Sequence, residues 1–117
     1  MGKGRDKRIL MGLPAELVIG PMKNYRGIIP NLSDKGISVI VETSPDDDSL
    51  NFPPGAMVQL NFNPRDEKIS LNCEIKWLQV YKNPPHGMTN LVGMTIIDPP
   101  DSYKKLLETL PYDKFYI

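Results

Sequence analysis

The feature that most constrains this fold is a strict alternation of apolar and polar residues. It is longest over residues 69–77, where Cys73 and every other odd-numbered side chain is apolar and the residues between them are polar. A period of two is typical of a strand with one buried face, because successive side chains point to opposite sides of a sheet. This segment is therefore predicted to be a strand that buries Trp77. The alternation slips by one residue between Trp77 and Leu78, which predicts a bulge there.

Shorter segments along the rest of the chain show the same alternation and are also predicted to be strands. One of them, residues 25–32, contains Pro30. Because proline lacks the N–H that a β-ladder requires, Pro30 is expected at an edge or a bulge. The shared faces of these strands predict a core formed by Leu17, Ile37, Val39, Val58, Leu60, Leu71, Ile75, Trp77 and Met94.

A helix is predicted near the end of the chain, over residues 99–110. Asp98 is a favourable N-cap, Pro99 suits the first helical position, and Pro111 ends the segment. Six antiparallel strands followed by this helix predict an all-β fold, a small closed barrel that the helix plugs or flanks. The apolar stripe that would face the barrel consists of Tyr103, Leu106, Leu107 and Leu110.

Composition excludes several functional classes. The 117 residues fit one domain, and 14 basic against 14 acidic side chains argue against a protein that coats nucleic acid. Cys73 is the only cysteine and His86 the only histidine, so neither an intramolecular disulfide nor a His/Cys metal site is expected. The sequence contains no apolar run long enough to predict a membrane span, and a cytoplasmic protein is expected. The sequence offers no positioned acid–base pair or nucleophile, so we expect no enzyme and no cofactor.

Two short segments carry polar chemistry. In residues 31–36 an extended chain presents Asn31 and Ser33 on one side, and Gly36 in the turn that follows is free to adopt positive φ and to allow a close backbone approach. The N-terminal arm, residues 1–12, contains Arg5 and Arg8 among further basic side chains. Arginine can bind phosphate or the O6/N7 edge of guanine. A plain hairpin turn and a solvated terminus are the structural alternatives.

These segments, in this order, resemble the PilZ domain family. Members of this family are six-stranded antiparallel barrels with a C-terminal helix, and many are bacterial receptors for cyclic di-GMP. The family's motifs are R-x-x-x-R in an N-terminal arm and [D/N]-x-S-x-x-G after the second strand. The second motif matches in full at residues 31–36, whereas the first has Gly4 where an arginine would pair with Arg8, leaving Arg5 one residue out of register.

The resemblance implies a barrel with its helix over residues 13–111, an arm before it and an aromatic tail at 112–117. It implies a non-enzymatic signalling domain in which Arg5, Arg8, Asn31, Ser33 and Gly36 bind cyclic di-GMP. A protein partner would receive the signal, with no nucleic acid polymer involved. One alternative is a divergent PilZ protein that binds no nucleotide and acts as an interaction module. A barrel that binds RNA or single-stranded DNA is disfavoured by the zero net charge and by the predicted burial of Trp77.

Overall fold

The computed structural model describes residues 9–20, 23–44, 53–64, 66–83 and 87–109. They form the predicted closed antiparallel barrel with a C-terminal helix, and the strand order around the barrel is β1-β2-β3-β6-β5-β4. The elements are β1 (Ile9–Gly20), β2 (Lys23–Leu32), β3 (Gly36–Thr43), β4 (Met57–Phe62), β5 (Ile69–Asn83), β6 (Gly87–Ile97) and α1 (Asp101–Thr109).

Strand β1 closes the barrel because it pairs with β2 on one side and β4 on the other. Leu17 lies opposite Tyr25 of β2 and opposite Leu60 of β4. The strand begins at Ile9, inside the range assigned to the arm, although residues 9–12 do not alternate. Backbone pairing with β2 continues there across a bulge between Leu10 and Leu13, so the alternation of side chains underestimated the length of this strand.

Strand β2 also carries a bulge, on its side facing β3. The register shifts between Ile28 and Leu32, and Pro30 lies within that interval. The expected placement of Pro30 at a bulge is confirmed.

The barrel interior holds the predicted core with one correction. Leu71 and Leu60 are fully buried and lie opposite each other on β5 and β4. Trp77, predicted to be buried, is 46% exposed. The bulge lies earlier than predicted, between Ile75 opposite Met94 and Trp77 opposite Gly93. Because two steps along β5 match one step along β6, Trp77 turns to the outer face.

Helix α1 begins two residues later than predicted. The N–H of Lys104 donates to the carbonyl oxygen of Pro100 at 3.1 Å, which makes Pro100 the N-cap in place of Asp98. The reason is steric. Asp98 and Pro99 are each followed by a proline, and a residue in that position is disfavoured in the helical conformation. Within the described ranges, no helix has the length and hydropathy to cross a bilayer.

The helix packs against the barrel through its predicted stripe. Tyr103 and Leu106 are buried, and the Tyr103 ring meets Phe62 edge-to-face at 6.4 Å between centroids. Leu107 is partly buried against the same core. Leu110 and the aromatic tail lie outside the described residues.

Candidate functional site

The segment between β2 and β3 forms a hydrogen-bonded turn at residues 33–36. The Ser33 hydroxyl donates to the Gly36 carbonyl oxygen at 2.7 Å, and the Gly36 N–H donates to Ser33 Oγ at 3.2 Å. Leu32 is fully buried, as the extended pattern predicted. The turn is tied to β6 because the Ile96 N–H donates to the Lys35 carbonyl oxygen at 3.0 Å.

The Ser33 hydroxyl closes this turn and still has capacity for a ligand. A hydroxyl has one hydrogen to donate and two lone pairs that accept. The hydrogen and one lone pair are engaged by Gly36. The remaining lone pair can accept a hydrogen bond from a ligand N–H without opening the turn.

A cavity of about 240 Å³, partly open to solvent, lies against this turn. It brings together the three motif residues that were predicted to act together, from β2, the turn and the start of β3. The lining residues are Asn31, Ser33, Asp34, Lys35, Gly36, Ile37, Ser38, Trp77, Gly93 and Met94. Asp34 and Lys35 are exposed, so the rim carries one negative and one positive side chain. The Lys35 ammonium is the group there that can pair with a phosphate.

The indole of Trp77 forms a wall of this cavity that sequence reasoning missed. A Cβ atom built on Gly93 would lie 2.1 Å from Cε2 of Trp77, so the ring rests directly on the glycine across the β5–β6 pair. The half-exposed ring offers a π face on which a nucleobase can stack. The signal that could have shown this is Gly93 inside a strand, because such a glycine often marks close approach of another group.

Gly36 does not use the positive φ that is open to glycine. The positive φ values among the described glycines are at Gly55 and Gly87, not at Gly36. Gly36 is the first residue of β3, and extended backbone needs no positive φ. A Cβ there would lie 3.4 Å from the Met94 carbonyl oxygen, at the short end of ordinary van der Waals contact. The barrel therefore does not require glycine at this position.

Arg5 and Arg8 lie outside the described residues. The pairing of β1 with β2 nevertheless fixes where the described chain begins, with Ile9 opposite Leu32 and Leu10 opposite Asn31. Ile9, the residue that follows Arg8 in the sequence, thus lies opposite the neighbour of Asn31 and Ser33, which line the cavity.

A buried tyrosine of the helix contacts the turn. The Tyr103 hydroxyl donates to the Ser33 carbonyl oxygen at 2.5 Å, and Tyr103 is fully buried. Burial raises the pKa of Tyr103 well above its ordinary value, and the nearby Cys73 raises it further. The phenol therefore stays protonated and can donate at any physiological pH.

Cys73 does not supply a nucleophile. It is fully buried inside the barrel, and burial raises its pKa from 9.0 to about 12. A protonated, inaccessible thiol is not a nucleophile. Among the residues that the structure describes, no group of three or more His, Cys, Asp or Glu side chains could hold a metal ion.

Comparison with known proteins identifies one family. A family model described as "PilZ domain" matches residues 3–112. No curated protein matches the chain at a significant level.

Solved structures show the same fold at low identity. The PilZ domain of YcgR from Escherichia coli with c-di-GMP has a TM-score of 0.67 and 13% identity, covering 92% of this chain and 87% of that one. MrkH from K. pneumonia has a TM-score of 0.71 and 12% identity, covering 98% of this chain and 51% of that one. PlzA from Borreliella burgdorferi in complex with c-di-GMP has a TM-score of 0.59 and 15% identity, covering 92% and 54%. The chain thus spans about half of MrkH and PlzA.

Proposed function

Because the chain belongs to the PilZ domain family, we propose that it is a receptor for cyclic di-GMP that binds the ligand without chemical change. The observation that carries this proposal is the 33–36 turn, where the family motif that matches in full lines a cavity. The similar structures of the YcgR domain and of PlzA are both complexes with c-di-GMP, which supports the same ligand for this chain. Cyclic di-GMP has two phosphates and two guanines, and each finds a chemical partner around the turn.

In this proposal the guanine is read by polar groups and held by an aromatic face. Ser33 accepts a hydrogen bond from a guanine N–H through its remaining lone pair, and the Asn31 amide bonds the guanine edge or the sugar-phosphate ring. The Trp77 indole stacks on a base, and Lys35 attracts a phosphate. Gly36 leaves space for the ligand, which accounts for a glycine that the barrel itself does not need.

The arm completes the proposed site. Arg8 occupies the register of the family's second arginine and supplies charge-assisted bonds to phosphate or guanine. Arg5 is the out-of-register candidate for the first. An arm that orders over the ligand converts binding into a conformational change. We propose that a protein partner recognises this change, and that the arm is the segment before β1, which begins at Ile9 rather than after residue 12.

Calorimetric titration with cyclic di-GMP tests the receptor proposal. Arg8→Ala should weaken binding roughly ten- to hundredfold, since hydrogen bonds to charged groups contribute about 1.5–3 kcal/mol. Ser33→Ala should also weaken binding, and Arg5→Ala should have a smaller effect than Arg8→Ala. Added salt should weaken wild-type binding because the ligand is a dianion. Arg26→Ala is the matched control, because Arg26 is exposed on β2 and does not line the cavity.

Gly36→Ala separates ligand space from folding. The added methyl group makes an ordinary contact with the barrel, so the unfolding midpoint should stay near that of wild type while affinity falls. Equal binding by wild type and the Arg8→Ala variant would show that the arm is placed wrongly. If wild type fails to bind at millimolar ligand, the receptor proposal is wrong.

The second candidate is an interaction module that has lost nucleotide binding. Its specific support is Gly4, which stands where the family has the first arginine. The same titration decides between the two functions, because the module predicts no heat of binding for wild type. The exposure of Trp77 removes one argument against a nucleic-acid-binding barrel, but the zero net charge still argues against it.

A further inference from the structure

Tyr103 joins two parts of the molecule that the proposed function treats separately. Its ring is fully buried between helix and barrel, where it meets Phe62 edge-to-face. Its hydroxyl donates a hydrogen bond to the Ser33 carbonyl oxygen. One residue of α1 therefore holds the main chain of the turn.

The position of this hydrogen bond gives it influence over the cavity. Ser33 is held at its carbonyl by Tyr103 and at its hydroxyl by Gly36. In the same turn the Lys35 carbonyl oxygen accepts a hydrogen bond from the Ile96 N–H, and Gly36 begins the pairing of β3 with β6 opposite Thr95. Loss of the phenol hydroxyl would leave the Ser33 carbonyl without this donor, and the turn would open more often.

We infer that Tyr103 is a positioning residue for the 33–36 turn, and that through it ligand binding and the docking of helix α1 favour each other. This inference rests on the proposed function for its ligand. This coupling is reciprocal. If docking of the helix strengthens the binding of a ligand that requires the ordered turn, then binding of that ligand stabilises the docked helix by the same free energy. A purely structural Tyr103 would stabilise the whole barrel evenly instead.

Amide hydrogen exchange without ligand tests the positioning role. In the Tyr103→Phe variant, which keeps the buried ring, the amides of Gly36 and Ile96 should exchange about two- to tenfold faster than in wild type. The Ile75 amide, which donates to the Ala56 carbonyl oxygen at 2.8 Å elsewhere in the barrel, should keep its rate. Unchanged rates at Gly36 and Ile96, or an equal acceleration that includes Ile75, would overturn the inference.

Tyr81→Phe is the matched control for loss of a phenol hydroxyl. Tyr81 is 52% exposed and donates to Gln79 at 2.9 Å. It pairs with Thr89, whereas Gly36 pairs with Thr95 six positions further along β6. Exchange at Gly36 should not change in this variant, and an acceleration as large as that in Tyr103→Phe would contradict a specific role for Tyr103.

Titration with cyclic di-GMP then tests the coupling. Tyr103→Phe should bind about two- to tenfold more weakly than wild type and Tyr81→Phe equally well. In wild type, which needs no substitution, saturating ligand should slow exchange of the α1 amides by more than it slows Ile75. Binding without this protection would overturn the coupling. If wild type does not bind, the receptor proposal fails, while the ligand-free exchange still decides whether Tyr103 positions the turn.

Discussion

The contact between Trp77 and Gly93 can be tested by adding a single methyl group. In Gly93→Ala the new Cβ would lie 2.1 Å from Cε2, 2.3 Å from Cζ2 and 2.6 Å from Nε1 of the indole. Carbon atoms in contact are separated by about 3.5–4.0 Å. The ring must therefore move by roughly 1.5 Å or leave the glycine, and we expect it to leave because it is already 46% exposed.

The size of the effect follows from the surface that the ring then loses. A tryptophan buries roughly 200 Å² when fully covered, and Trp77 keeps about half of its surface covered. Exposure of roughly 100 Å² at about 25 cal/mol per Å² lowers the free energy of unfolding by at most about 2.5 kcal/mol. Alanine in place of a strand glycine offsets this by roughly 0.5–1 kcal/mol. The net loss should be about 1–2 kcal/mol.

Urea denaturation of a double-mutant cycle measures this contact. Gly93→Ala should destabilise the wild-type protein but stabilise the Trp77→Ala protein slightly, giving a coupling of about 1–3 kcal/mol. Trp77 is the only tryptophan in the chain, so its fluorescence emission should shift to longer wavelength in Gly93→Ala. Gly20→Ala is the control, since nothing lies within 4 Å of a Cβ at Gly20. Unchanged emission and no coupling would refute the reasoning.

Two further predictions concern the barrel interior. Leu71→Ala should lower the free energy of unfolding by about 2–5 kcal/mol, because Leu71 is fully buried. Val80→Ala on the same strand is the control and should cost much less, because Val80 is 44% exposed. A loss below about half a kcal/mol for Leu71→Ala would contradict the inward orientation of this side chain. For Cys73, burial raises the pKa from 9.0 to about 12, so the unfolded chain loses the thiol proton first and stability should fall as pH rises through this interval. Urea denaturation from pH 8 to 11 should show a shallower decline in Cys73→Ala, and parallel curves for the two proteins would count against the buried thiol.

The alternation of side chains predicts the strands and most of the core because each strand buries one face. Cys73 and Ile75 lie inward as their positions require. The same rule misplaced Trp77, since a single extra residue in β5 exchanges the two faces for everything that follows. The sequence indicates that a slip exists near Trp77 but not between which residues it lies, because the partner strand fixes the register.

The candidate site divides in the same way. Residues 31–36 could be predicted because their chemistry is local in the sequence, and the turn forms where expected. The contact of Trp77 with Gly93 could be suspected only from a glycine inside a strand, because the register between β5 and β6 decides what meets it. The contact of Tyr103 with Ser33 could not be predicted, since it depends on where the helix docks on the barrel. Tyr103 follows the helical apolar stripe, so sequence alone explains its burial without indicating that its hydroxyl holds the turn.

Trp77 and Tyr103 both lie near the 33–36 turn, but Trp77 is on the outer face of the barrel and Tyr103 is buried. This difference determines how each residue can affect a ligand. Trp77 is half exposed on the outer face, so its ring can contact a ligand and its loss costs the barrel little beyond the contact with Gly93. Tyr103 is sealed on the inner side, so it can affect a ligand only by holding the Ser33 main chain. Removal of the Trp77 ring should therefore weaken binding without loosening the turn, whereas removal of the Tyr103 hydroxyl should loosen the turn and weaken binding as a consequence.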